Sequence, residues 1–144
     1  MKGKSLVAAL LSLACASCAT TGPDFAGLWS YRQECRFGHV ANLELLQEYA
    51  RISGSWDDGT RVRGESGLLK GTVEGTRARV WFCSETADDP KHACPNMGQE
   101  EAYLERVGDT LVWYRGAQEY LTLHRNGEGV VIPVDDRDCA EDDE

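Results

Sequence analysis

The sequence predicts an all-β protein, a small antiparallel up-and-down β-barrel of about eight strands, with a two-sheet β-sandwich as the alternative. Three observations predict it. From Pro23 to about Arg125 the chain is a string of short alternating segments separated by turn residues. No segment sustains a 3.6-residue apolar period. Glycines recur at 54, 59, 64, 67, 71 and 75, and within strands they mark the bends that curl a sheet closed. Closure removes the unpaired edges that a small sheet would otherwise expose.

The elements follow in order. FAGLWSYRQEC (25–35) alternates, with Trp29, Tyr31 and Gln33 on one face. VANLELLQ (40–47) and ARISGSW (50–56) read as a hairpin, followed by a turn at DDGT (57–60). LELLQEYARI is built of good helix formers, so a helix is the alternative there. Two strands are preferred because Leu43 and Leu45 precede the turn while Ile52, Gly54 and Trp56 follow it. TRVRGES (60–66) and LLKGTVEG (68–75) read as glycine-rich strands. In TRARVWFCS (76–84), Ala78, Val80 and Phe82 share one face, and Arg77, Arg79 and Trp81 the other. After a polar loop come QEEAYLERV (99–107), TLVWYRG (110–116) and QEYLTLHRN (118–126). Turns this tight call for antiparallel neighbours rather than helical crossovers.

The 144-residue length allows one domain. Its start, MKGKSLVAALLSLACASC, has two lysines, a short apolar run and then small residues, the pattern of a secretory signal. The run is too short to span a bilayer, which takes about 20 residues. Cleavage beside Ala16 or Ala19 would release a plain secreted or soluble periplasmic protein. LAC at Cys15 and ASC at Cys18 also resemble a bacterial lipobox, in which the cysteine is diacylated and becomes the first residue. Parity favours Cys18 over the alternative Cys15, because Cys15 then leaves with the signal and four cysteines remain, an even set for an oxidising compartment. Ala19 after Cys18 resembles the signal that sorts lipoproteins to the outer membrane. The expected organisation is a signal peptide (1–17), a lipidated tether (18–24), a barrel (25–126) and an acidic tail (127–144).

Removing residues 1–17 takes away two lysines and no acid, so the formal charge goes from −9 to −11. That excludes a nucleic-acid binder. DDRDCAEDDE (135–144) carries seven of the acids and lacks the spaced ligands of a calcium loop. Cys83 and Cys94 flank a charged loop that a local bridge would close, leaving Cys35 for Cys139, although four cysteines allow three pairings. A metal site at Cys83, His92 and Cys94 lacks paired short spacings. No nucleophile or metalloprotease motif is present, and the sequence calls for no cofactor and no catalysis.

FAGLW opening the first strand resembles the GxW start of the calycin superfamily, which includes lipocalins, avidins and small metalloprotease inhibitors. Arg125, in phase with Leu121 and Leu123, is similar to the arginine that packs across that tryptophan in lipocalins. The resemblance implies a barrel that binds a small hydrophobic ligand or docks on a protein. Trp29, Tyr31, Trp56, Trp113 and Arg125 are the candidate ligand-binding residues, with core packing of the aromatics as the competing reading. Trp81 and Tyr114, out of phase with the core and beside Arg77 and Arg79, form a candidate protein-contact patch. The functional expectation is a lipid-anchored, non-catalytic envelope protein. A protein partner is preferred to a small hydrophobic ligand because so short a chain leaves little interior volume. An envelope hydrolase is the remote alternative.

Overall fold

The computed structural model describes residues 22–137 and Cys139. The proposed signal peptide, Cys15 and Cys18 lie outside the described residues, as do Asp138 and residues 140–144. Eight strands follow one another: β1 (Gly27–Gln33), β2 (His39–Glu48), β3 (Arg51–Gly59), β4 (Gly64–Glu74), β5 (Arg77–Ser84), β6 (Ala102–Val107), β7 (Thr110–Arg115) and β8 (Gln118–Asn126). Each pairs antiparallel with the next, and β8 returns to β1, closing an up-and-down barrel. The all-β architecture expected from alternation is the one the chain adopts.

Two local expectations are corrected. The helical alternative over residues 43–52 is not taken. Leu43, Leu45 and Ile52 are buried at a two-residue period on paired strands, so burial overrides helix propensity. The turn expected at 57–60 falls instead at 60–63, and the stretches 60–66 and 68–75 contribute to one strand, β4, rather than two. Gly67 does not break that strand. It marks a close crossing, where a Cβ would stand 1.9 Å from the Cys83 carbonyl oxygen and 3.0 Å from the Trp56 indole nitrogen.

The inward rows are apolar through the middle and charged at the ends. Leu104 on β6 is followed in phase by Arg106, and Leu123 on β8 by Arg125. Trp56 on β3 is followed by Asp58, and Trp113 on β7 by Arg115. Between those ends lies a core that includes Trp29, Leu43, Leu45, Ile52, Leu69, Val80, Leu104, Leu111, Trp113 and Leu123. At about 25 cal/mol per Å² of apolar surface removed from water, such a filling is the main stabilising term.

The seam between β1 and β8 is short. Their register runs only from Leu28–Asn126 to Ser30–His124. Beyond it the segment after β8 turns back, the Asp135 amide donates to the Arg32 carbonyl (2.8 Å), and Cys139 is bridged to Cys35. This strap runs beside β1 where the pairing with β8 has ended. The second disulfide, Cys83–Cys94, holds the long β5–β6 loop against the end of β5.

Candidate functional site

The two ends of the barrel differ. One is plugged by Phe25 and Trp29, both fully buried, with the Trp29 indole nitrogen donating to the Phe25 carbonyl (2.9 Å). The Arg125 guanidinium lies 4.3 Å and that of Arg106 4.7 Å from the centre of the Trp29 ring. Arg125 donates to the carbonyls of Ala26 (2.8 Å) and Asp24 (3.4 Å), and Arg106 donates to those of Asp24 and Gly108. Burial and the neighbouring Arg125 lower the Arg106 pKa from its usual value. Gly27 makes this possible: its φ is +121°, and a Cβ would lie 2.8 Å from an Arg125 nitrogen. The GxW spacing thus has a local cause. The glycine leaves room for the arginine that covers the tryptophan.

The other end is open. A cavity of about 610 Å³ enters the lumen there, within the usual range for small-ligand pockets. Its floor is aromatic: Phe82 and Trp113 stack at 5.1 Å between ring centres, and Trp56 meets Phe82 edge-on at 5.6 Å. Its rim carries Glu65, Glu100, Glu101, His92 and Arg115. One wall is supplied by the β5–β6 loop. β5 pairs with β6 only through Arg77–Val80, and farther along the loop bonds back to β5, Gly98 to the Phe82 carbonyl and Cys94 to the Ser84 carbonyl. The Trp113 indole N–H is shielded from solvent and has no hydrogen-bond partner among the described residues, a cost of about 1–3 kcal/mol.

A polar crossbar divides the mouth. The Asp58 carboxylate accepts from His39 Nε2 (2.5 Å), Tyr120 (2.6 Å) and Arg115 (3.0 Å), so it links β2, β3, β7 and β8. Asp58 is nearly buried, and the Arg115 guanidinium also lies 3.8 Å from the centre of the Tyr120 ring. Burial and the bond to Asp58 raise the Tyr120 pKa above its ordinary 10.0, which keeps the hydroxyl a donor. A second cavity of about 430 Å³ lies on the far side of this crossbar and shares Trp56, Glu65 and Arg115 with the first.

Of the five candidate ligand-binding residues, Trp56 and Trp113 line the mouth cavity. Trp29 and Arg125 belong to the plug at the opposite end. Arg125 is not buried among the leucines; it reaches out over Trp29 and is itself exposed. Tyr31 is buried beside His39, and its hydroxyl donates to Asp135 in the strap (3.1 Å). His39, Asp58, Arg115 and Tyr120 are additions to the expected set. The first three extend inward rows by one step, a readable signal. Tyr120 is out of phase with Leu121 and Leu123, and it reaches the cluster because a bulge shifts the β7–β8 register beside Trp113.

These features define a closed eight-stranded barrel with one plugged end and one aromatic, acid-rimmed mouth. No protein family, no curated protein and no solved structure matches the chain.

Proposed function

We propose that this protein is a non-catalytic, calycin-like binding barrel, held in the bacterial cell envelope by a lipid on Cys18, that takes a small apolar ligand through its open mouth. The observation that carries the reading is the asymmetry of the ends: a plug at Trp29, and at the other end a 610 Å³ cavity floored by Trp56, Phe82 and Trp113. The cavity outweighs the argument from chain length that favoured a protein partner. Arg115 is already matched by Asp58, so Glu65, Glu100 and Glu101 leave the rim negative and disfavour an anionic head group. The ligand class is therefore neutral hydrophobes. The plug geometry around Gly27, Trp29 and Arg125 supports the calycin-like reading, and the apolar leader ending in the lipobox-like run at Cys18 supports the anchor.

Tryptophan fluorescence tests this with a long-chain alcohol and its chain-matched carboxylate. Saturable quenching or a blue shift by the alcohol, weaker with the carboxylate, is the expected result. No response to any hydrophobe overturns the ligand reading. Intact mass of the mature protein tests the anchor: an unmodified chain beginning at Ser17 or Thr20 removes it.

A second reading, a protein partner, draws on the outer face of β5–β7. There Arg77 lies 5.5 Å from the Tyr114 ring centre and 5.9 Å from that of Tyr103, Arg79 approaches Tyr103, and Arg77 pairs with Glu105 (3.1 Å). Recovery of one stoichiometric envelope partner, lost in Arg79→Glu with the unfolding temperature unchanged, would favour it.

A further inference from the structure

The two-residue turn between β2 and β3 breaks a rule that the other two-residue turns keep. The turns β4–β5, β6–β7 and β7–β8 begin with Gly75, Gly108 and Gly116 at φ of +62°, +57° and +59°. The turn β2–β3 begins with Tyr49 at φ +55°. Left-handed backbone is costly for a bulky side chain and nearly free for glycine. Burial does not offset the strain, because Tyr49 is 92% exposed, the most exposed of the large apolar residues described. A strained, fully exposed aromatic at a turn tip points to a contact outside the chain.

Its place in the fold says which contact. Gln47 donates to the Tyr49 carbonyl (3.0 Å) and accepts from the Phe25 amide (2.8 Å), so one side chain ties this turn to the segment that enters the barrel. The plugged end therefore carries both Tyr49 and the chain's approach from residues 1–21, where the apolar leader and the lipobox-like cysteines lie. Other apolar side chains are exposed around the same end: Val107 at the β6–β7 turn, and Val130 and Val131 just after β8. Asp24, Glu48, Glu74, Asp109 and Glu128 stand among them with Arg51, Arg77, Arg106 and Arg125. Arg106 and Arg125 are engaged with Trp29 and with backbone carbonyls, so the end carries no excess of basic charge for an acidic partner.

We propose that the plugged end rests on the phospholipid surface, with Tyr49 as its interfacial contact and the mouth directed away from the membrane. Tyrosine suits that place, with a ring that favours the acyl boundary and a hydroxyl that favours the headgroups. The proposal rests on the lipid-anchor reading. Contact through apolar tips rather than basic charge makes it insensitive to salt.

The full chain is made with its leader, purified from the envelope and reconstituted into phosphatidylethanolamine–phosphatidylglycerol vesicles, with and without brominated acyl chains. Tyr49→Trp and Phe37→Trp place reporters at the two ends. The expected result is flotation with the vesicles and loss of emission to brominated lipid at position 49, beyond the native tryptophan background, with no such loss at position 37. Flotation without added quenching at 49, or with stronger quenching at 37, overturns the proposal and leaves the anchor reading standing. Failure to float overturns both. Tyr49→Gly gives an independent check, since it installs the residue that the turn geometry favours. It should unfold at the parent temperature or above, while a Val131→Trp reporter in the same background loses its lipid quenching. A lowered unfolding temperature would show that Tyr49 serves the fold instead, and would sink the proposal.

Discussion

The residue with most at stake is Asp58. It is a nearly buried carboxylate whose three donors come from three other strands, and removing it leaves the half-buried His39 and Tyr120 without their shared acceptor. Asp58→Ala should cost about 2–3 kcal/mol in denaturant unfolding, and Tyr120→Phe about 1 kcal/mol, because the latter deletes only one of the three bonds. Equal losses would mean that Tyr120 carries the crossbar. Asp135 offers a pH test. The bonds from Arg137 hold its carboxyl down at about 2, against an ordinary 3.8, with the Tyr31 hydroxyl adding to the effect. A depressed carboxylate contributes stability that is present above pH 4 and lost as pH falls toward 2. The contribution, about 1–2 kcal/mol, should disappear over that window in the parent and be absent in Asp135→Asn.

At the scale of elements, β4 shows how one glycine keeps two neighbours close. Gly67→Ala would drive a methyl group into the Cys83 carbonyl and toward the Trp56 indole, which itself donates to that carbonyl (2.9 Å). A loss of about 2–3 kcal/mol is expected by calorimetry, together with altered tryptophan emission, since Trp56 must move. Alternation was enough to place the inward apolar residues of β1, β2, β5 and β7, because burial on one face forces a period of two. The rows end in Asp58, Arg106, Arg115 and Arg125, and the same alternation assigns their phase. It does not tell which end each one caps while 60–66 and 68–75 read as two strands, because strand direction alternates and one extra strand inverts every later one. Tyr120 was illegible for a different reason: a bulge shifts the phase, and nothing in QEYLTLHRN announces it.

For the whole molecule, the two disulfides do unequal work. Cys35–Cys139 spans 104 residues and locks the strap beside β1, whereas Cys83–Cys94 spans 11 and pins one loop. Chain entropy puts their contributions at about 4.7 and about 3 kcal/mol. Replacing Cys35 and Cys139 by serine should therefore lower the unfolding temperature more than replacing Cys83 and Cys94. The second pair instead bears on the cavity wall, so its loss should weaken hydrophobe binding at a smaller stability cost. The opposite ranking would mean that the strap adds little to barrel closure.

Alternation, turn residues and recurrent glycines by themselves determined an all-β chain of antiparallel neighbours, while cysteine spacing suggested a local Cys83–Cys94 bridge and left three pairings open until the structure joined Cys35 to Cys139. Each is a local property, set by which face a residue presents or how far apart two residues lie along the chain. The tertiary structure decided which aromatics plug one end and which floor a cavity, because Trp29 and Trp113 occupy similar alternating patterns and differ only in their height along the barrel. It also decided that His39, Asp58, Arg115 and Tyr120 meet, since their contacts cross the lumen between strands distant in sequence. Strand stagger and one bulge set those distances, and no single stretch of chain encodes either.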